Sequence, residues 1–356
     1  MAIGDCTRLV EKIISRIRSW GARSLSYAGR LILVQSVLSQ LHSYWTRIFI
    51  IPLTVIDRVE RICRNYLWSG SDLYLRAPAV AWEKVCREKK CGGLGVVSCR
   101  EWNIAMLGKY VWWIAAKADH LWIRWVNHIY IKNQPWMDYK PTTTTSWTWR
   151  KICHVKDQFK DGYVGGNWCR NQGRYTVADG YSWLQPEAPK VTWYPLIWNA
   201  SVVPKHAYIG WLAMQGRLLT KDRLGSFGIQ NDGQCEICQA HLENHTHMLY
   251  LCCYSQHCWS LLWEWLDYKF PLIGLCDWFR RWRCKTLIKK QIIAAAIVGL
   301  IYHIWFARNI CRLEARLQAP WAILKQLKVE LQARFQRPSK IELVQKSVWA
   351  CQLLAV

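Results

Sequence analysis

The sequence predicts a mainly α-helical chain, and three observations carry that expectation. Apolar residues recur at helical spacing, as in Trp259, Leu262, Trp263 and Leu266 at i, i+3, i+4 and i+7. Pro and Gly fall where helices begin and end, with Pro52, Pro204 and Pro320 as starts and Gly216 as a stop. The third is the segment Cys235-Glu236-Ile237-Cys238 followed by His247 and Cys252. Four soft or borderline ligands in Cys-Cys-His-Cys order match a small domain closed around a tetrahedral Zn²⁺. His241, His245, Cys253, His257 and Cys258 crowd the same segment, and the reading prefers His247 and Cys252.

The elements follow in order. Leu9, Val10, Ile13, Ile14, Ile17 and Trp20 give the first helix an apolar face. A second helix covers about Gly29 to Tyr44. Pro52 opens a third, in which Val55, Ile56, Val59, Ile62, Cys63 and Tyr66 point inward while Arg58, Arg61 and Arg64 recur every three residues. That basic stripe fits either a phosphate track or a solvated helix face. Gly92-Gly93-Leu94-Gly95 lacks the following Gly-Lys-Ser/Thr of a phosphate loop and reads as a connecting turn. Ser98 and Glu101 have capping-box spacing for a helix to about Ala118, and Asp119 is placed to cap the next. These elements form a predicted helical region over residues 1–132.

Between residues 133 and 190, Pro135, Pro141, the Thr142 to Thr145 run, Gly165-Gly166, Pro186 and Pro189 read as a linker. Gly173 to Val177 is expected to form a short strand leading into a helix at about Ala178 to Leu184. Residues 191–270 are the expected small helical zinc-binding domain, with Pro204 starting one helix, Thr220 capping the next, and the Trp259 helix packed on the metal-binding turn. Residues 271–356 form a helical tail, with Ile323, Leu324, Leu327, Leu331 and Phe335 on one side of a helix begun by Pro320.

Charge points to the partner. The 356 residues contain 48 Lys plus Arg against 24 Asp plus Glu, a formal net charge of +24. Such an excess fits a polyanion, with nucleic acid ahead of an anionic membrane surface or a merely basic exterior. Most of the 25 Trp lie at helical spacing beside Leu and Ile and belong to cores. The 16 Cys are scattered and follow no secretory signal, which fits a reducing compartment, cytoplasm or nucleus. The apolar run from Ile292 to Ala307 is shorter than a membrane span and contains His303, so it reads as a buried helix and no membrane partner is expected.

Longer motifs extend the pattern. Leu25-Ser26-Tyr27-Ala28-Gly29-Arg30-Leu31, Ser36-Val37-Leu38, Tyr66-Leu67-Trp68-Ser69-Gly70, Ala81 to Cys86, Gly92 to Gly95 and Trp102-Asn103 together resemble the region downstream of the polymerase core in plant LINE-type (non-LTR) retrotransposon reverse transcriptases. Gly216-Arg217-Leu218, Thr220 to Leu224, Cys235 to Cys238, Glu243, His247-Met248-Leu249, Cys252 and Trp259 resemble the reverse-transcriptase zinc-binding domain. Asn244 stands where that family usually has Thr or Ser, and Cys253 where it commonly has Pro. Ile304-Trp305 and Arg308-Asn309 resemble the segment that often follows. The resemblance implies a thumb-like helical region, zinc on Cys235, Cys238, His247 and Cys252, and binding of RNA or an RNA–DNA hybrid during target-primed reverse transcription.

The basic residues best placed for phosphate contact are Lys205, Arg217, Lys221 and Arg223, with Arg58, Arg61 and Arg64. No two Asp are adjacent, whereas polymerisation needs paired aspartates that hold two metal ions. No catalytic residue is therefore expected, and the chain is read as a non-enzymatic piece of such a polyprotein. A zinc-dependent protein-interaction module is the competing class, and membership of an active polymerase whose catalytic part lies elsewhere is a third.

Overall fold

Helix forms wherever the apolar period is near 3.6, and the computed structural model follows that pattern through the residues it describes: 7–19, 25–48, 51–73, 77–164, 175–282 and 286–354. Within them the chain is mainly helical, with a lone antiparallel bridge between Gln234 and Leu242 and no extended strand. It divides into two compact units. One comprises residues 1–25, 29–88 and 93–189, the other 26–28, 89–92 and 190–356.

In the first unit, α1 (Thr7–Ser19) packs on α3 (Leu53–Ser69), and α2 (Tyr27–Ile48) lies between them in sequence. Val10, Ile13 and Ile17 supply the buried side of α1, while Trp20 lies outside the described residues. The inward set predicted for α3, Val55 through Tyr66, is buried throughout. Pro52 precedes that helix and Gly70 ends it at φ 72°, where the Gly70 N–H reaches the Tyr66 carbonyl. A short helix α4 (Trp82–Cys86) leads into the glycine turn. There the Gly93 N–H bonds the Glu88 carbonyl and the Leu94 N–H that of Val85.

The next helix, α5 (Cys99–Ala115), begins at Ser98 as predicted, but the cap comes from elsewhere. Glu60 of α3 places Oε1 2.7 Å from the Cys99 N–H and 3.4 Å from Ser98 Oγ. A carboxylate satisfies the orphan donors of a helix N-terminus better than a hydroxyl does, and it also ties α3 to α5. Asp119 does not cap α6 (Leu121–Val126); it pairs with Arg124, and His120 Nδ1 accepts the Trp122 N–H instead.

The stretch predicted to be a linker is packed instead. Residues 147–164 form α7, residues 177–184 form α8, and both lie on α5. Trp136, Tyr139, Trp149, Ile152, Val155, Phe159 and Tyr175 join Leu107, Val111 and Ile123 in one core. Its polar atoms are spoken for. Trp136 Nε1 donates to the Val111 carbonyl, Trp149 Nε1 to Tyr139 Oη, and the buried Lys156 ammonium to the carbonyls of Met137 and Tyr139. The Pro and Thr residues that imitate a linker shape turns around this core.

Nor do Tyr175 and Thr176 extend a strand. Thr176 is the N-cap of α8, its hydroxyl 3.1 Å from the Asp179 N–H, while Gly173 and Arg174 lie outside the described residues. Tyr175 Oη bonds the Ala105 carbonyl at 2.5 Å, and Gly108 makes room for it. A Cβ on Gly108 would stand 2.5 Å from Tyr175 Oη and 2.9 Å from Phe159 Cε2. Gly108→Ala is thus expected to destabilise this unit by about 1–3 kcal/mol through overpacking. Chemical denaturation followed by Trp fluorescence checks it, and an unchanged midpoint would contradict this packing.

The second unit is built on α14 (Leu287–Glu314), whose residues Ile292 to Ile301 are all buried. By length and composition it could cross a membrane, yet its apolar surface packs against α9 (Tyr194–Ile197), α10 (Pro204–Met214), α12 (Cys253–Leu266) and α15 (Pro320–Phe335). It is a core helix. The predicted inner face of α15, Ile323 to Phe335, is buried as expected. Helices α11 (Lys221–Ser226), α13 (Leu275–Arg281), α16 (Pro338–Gln345) and α17 (Val348–Leu354) complete the unit.

Candidate metal centre

Three short devices assemble the site. Asn231 and Asp232 turn the chain by accepting the N–H groups of Gly233 and Gln234, and Gly233 takes φ 70°. A knuckle follows, closed by Cys235 N–H to the His241 carbonyl and Gln239 N–H to the Cys235 carbonyl, which brings Cys235 and Cys238 to one side. The third device is a π-helical turn over His247–Leu251, whose wide loop closes with the Cys252 N–H on the His247 carbonyl at 2.7 Å. That turn presents His247 and Cys252 together, and Cys252 then serves as N-cap of α12.

The result is a Cys₃His cluster. One ligand atom each from Cys235, Cys238, His247 and Cys252 lies within 4.8 Å of the others. The sulfurs of Cys235 and Cys252 are 4.0 Å apart, and Cys238 Sγ is 3.3 Å from His247 Nε2. Two thiolates at ~2.3 Å from a tetrahedral ion stand about 3.8 Å apart, so the spacing fits a Zn²⁺-sized cation held by three sulfurs and one nitrogen. Cys235 and Cys252 are fully buried. A hydrogen bond from Cys252 and the N–H groups of Cys238 and Ile237 draw Cys235 toward thiolate, while the Cys252 thiol, sharing its proton with Cys235, is pushed up. A divalent ion would replace the shared proton and hold both as thiolates.

The competing ligands fall away on geometry. Cys253 is exposed, so Cys252 supplies the fourth position. His245 Nε2 accepts the Leu218 N–H at 3.0 Å. Cys258 is buried on α12 and falls outside the cluster. His241 and His257 are exposed. Asn244 Oδ1 accepts the His247 N–H at 2.8 Å and fixes the start of the π turn.

Behind the ligands stands a buried ion pair that spacing alone did not reveal. The side chains of Glu243 and Arg308 are 0% and 1% exposed. Arg308 Nη2 meets Glu243 Oε1 at 2.5 Å and its Nε meets Oε2 at 3.2 Å, a two-pronged contact. The same carboxylate accepts the Lys221 N–H at 2.8 Å and the Glu236 N–H at 3.1 Å. It therefore caps α11, where Thr220 was expected to do so, and braces the knuckle between the first two cysteines against α14. On the other side, α12 packs on the π turn as predicted, with Trp259 Nε1 bonded to the Leu249 carbonyl at 2.8 Å.

The basic candidates are dispersed. Lys221 is buried and binds Asp232 at 2.6 Å and Glu236 at 3.2 Å. Lys205 pairs with Glu330 at 3.2 Å. Arg223 donates to the Gly216 carbonyl and lies over Phe227; burial and then the nearby Arg217 charge lower its pKa. Arg217 is half-buried. In the first unit Arg58 and Arg61 are exposed on α3 and Arg64 is half-buried.

Known proteins agree with the geometry. Residues 175–259 match the family described as zinc-binding in reverse transcriptase. Over 148 residues, 40% of this chain, the sequence is 31% identical to the Arabidopsis thaliana "Putative ribonuclease H protein At1g65750", spanning 24% of that protein's length. Over 133 residues, 35% of this chain, it is 26% identical to the "Uncharacterized mitochondrial protein AtMg00310" of the same plant, spanning 80% of it. The chain thus carries, in residues 175–259, the zinc-binding domain found in reverse transcriptases, with distant plant relatives.

Proposed function

We propose that this chain holds one structural Zn²⁺ on Cys235, Cys238, His247 and Cys252 and binds RNA or an RNA–DNA hybrid in the setting of a plant LINE-type reverse transcriptase. The observation that carries the reading is the convergence of those four ligand atoms inside the matched segment. Zinc here is a fold-holding ion, since four protein ligands leave no position for water or substrate. Nucleic-acid binding rests on the +24 net charge. The chain itself catalyses no polymerisation in this reading, and it works in the cytoplasm or nucleus.

The second reading, a zinc-dependent protein-interaction module, is favoured by one observation: Lys221 and Lys205 are engaged in internal ion pairs. Salt dependence separates the two. With Arg217 and Arg223 as the phosphate contacts near the metal, the Arg217→Ala/Arg223→Ala chain is expected to flatten the slope of log K against log salt by roughly 1–2 units, and adding Lys221→Met should flatten it no further. Fluorescence anisotropy with a labelled RNA–DNA hybrid measures it. Binding that ignores salt, or an unaltered slope in the double variant, favours the protein-interaction reading. In a primer-extension assay with Mg²⁺ or Mn²⁺ the chain alone should leave a primed RNA template unextended, and metal-dependent extension would contradict the non-enzymatic reading.

A further inference from the structure

Away from the sulfur centre, three helices of the second unit converge on another set of ligating atoms. His206 lies in the first turn of α10, His303 in the middle of α14, and Glu330 on α15. His206 Nε2 is 3.1 Å and His303 Nε2 3.3 Å from the same atom, Glu330 Oε2. One ligand atom from each residue lies within 4.8 Å of the other two. Both histidines are 2% exposed, whereas the Glu330 side chain is 22% exposed.

A carboxylate accepting hydrogen bonds from two imidazoles would be the ordinary explanation. His303 satisfies it. His206 reaches the same oxygen at 3.1 Å but without the direction of a good hydrogen bond, its Nε2 being buried and not aimed along an N–H···O line. A nitrogen and an oxygen this close without a donor aimed between them are arranged like two ligands of a common third atom. The separations agree: ligands at ~2.0 Å from a tetrahedral ion stand about 3.3 Å apart.

The surroundings fix the set. The His206 ring packs against Tyr302 at 4.4 Å between centroids. Glu330 Oε1, the oxygen turned from the histidines, is held by Lys205 at 3.2 Å, which orients the carboxylate as outer partners of metal ligands do. Gly299 keeps the space beside His206 free, since a Cβ there would stand 2.5 Å from Leu327 Cδ1 and 3.5 Å from His206 Nδ1.

We propose that His206, His303 and Glu330 form a second divalent-metal site, a two-histidine, one-carboxylate set that takes Zn²⁺ and leaves a fourth position on the partly exposed Glu330 side for water or an anionic ligand. Imidazole and carboxylate suit Zn²⁺, and Co²⁺ can replace it as a spectroscopic probe. This site is independent of the Cys₃His centre.

The test is metal content of the full chain grown with Zn²⁺ or with Co²⁺, in wild type, Glu330→Gln, His303→Asn and Cys238→Ser. Two equivalents are expected in wild type. Glu330→Gln and His303→Asn should each hold one, with the thiolate-to-cobalt absorption intact, which also shows that they are folded. Cys238→Ser should lose that absorption and keep the equivalent that Glu330→Gln loses. A wild-type chain with one equivalent that Glu330→Gln leaves in place overturns the proposal. One equivalent that disappears in Glu330→Gln and survives in Cys238→Ser supports this site and overturns the sulfur centre instead.

Discussion

Replacing Arg308 with Ala is expected to destabilise the metal-binding unit by about 3–5 kcal/mol, because it strands the Glu243 carboxylate in a site with no access to water. The effect should be local before it is global. Glu243 holds the first N–H of α11 and the N–H of Glu236 inside the knuckle. A carboxylate that protonates or turns toward solvent to escape burial releases both. Hydrogen exchange should therefore show Lys221 and Glu236 amides losing protection in Arg308→Ala, while those of α7 in the other unit keep theirs. Replacing both partners with apolar residues, as in Glu243→Leu/Arg308→Leu, should cost less than Arg308→Ala alone if stranded charge is the cause. Equal losses in the two chains would place the effect in packing rather than in the ion pair.

The larger expected effect is that of removing the metal. Structural zinc in short peptides is worth about 10–16 kcal/mol of apparent binding free energy at neutral pH, more than the net stability of most domains. The segment from Gly233 to Cys252 contains one antiparallel bridge and a π turn, with little regular structure to hold it otherwise. Chelation, or Cys235→Ser, should unfold this segment and loosen the start of α12, which Cys252 caps. Falling pH should do the same, because protons compete with the ion for the three sulfurs and the imidazole; stability from the metal is present where the ligands are deprotonated and is lost as acid returns their protons. Zinc release measured with a colorimetric chelator should rise as pH falls and coincide with loss of amide protection in this segment. Release without structural change would contradict a fold-holding role.

Local patterns were legible in the sequence, and long-range partnerships were not. Apolar period located α3 and α15 with their inner faces, and ligand order located the four atoms that meet in the metal cluster. Both signals are local, since 3.6-residue periodicity and a Cys-x-x-Cys turn are written within a few residues. The caps went differently. Ser98 and Thr220 mark helix starts correctly, yet Glu60 and Glu243 accept the first helical N–H groups from 39 and 22 positions away along the chain, distances at which spacing carries no signal. The supposed linker misled for a related reason. Its Pro and Thr residues punctuate the chain, while Trp136 finds the Val111 carbonyl 25 positions away and Tyr139 and Trp149 join the same core. Glu243 and Arg308-Asn309 were visible through family resemblance, but nothing in the sequence joined Glu243 to Arg308. His303 is legible as a polar residue in an apolar run, whereas its neighbours His206 and Glu330 come from two other helices.

In the proposed centre three sulfurs and one imidazole hold zinc. Zinc K-edge X-ray absorption on the Glu330→Gln chain tests it most directly, because that variant removes the other metal site proposed. The expected spectrum shows a shell of three sulfurs at ~2.3 Å and one nitrogen at ~2.0 Å. A shell of nitrogen and oxygen alone, or a folded chain free of zinc, would contradict it.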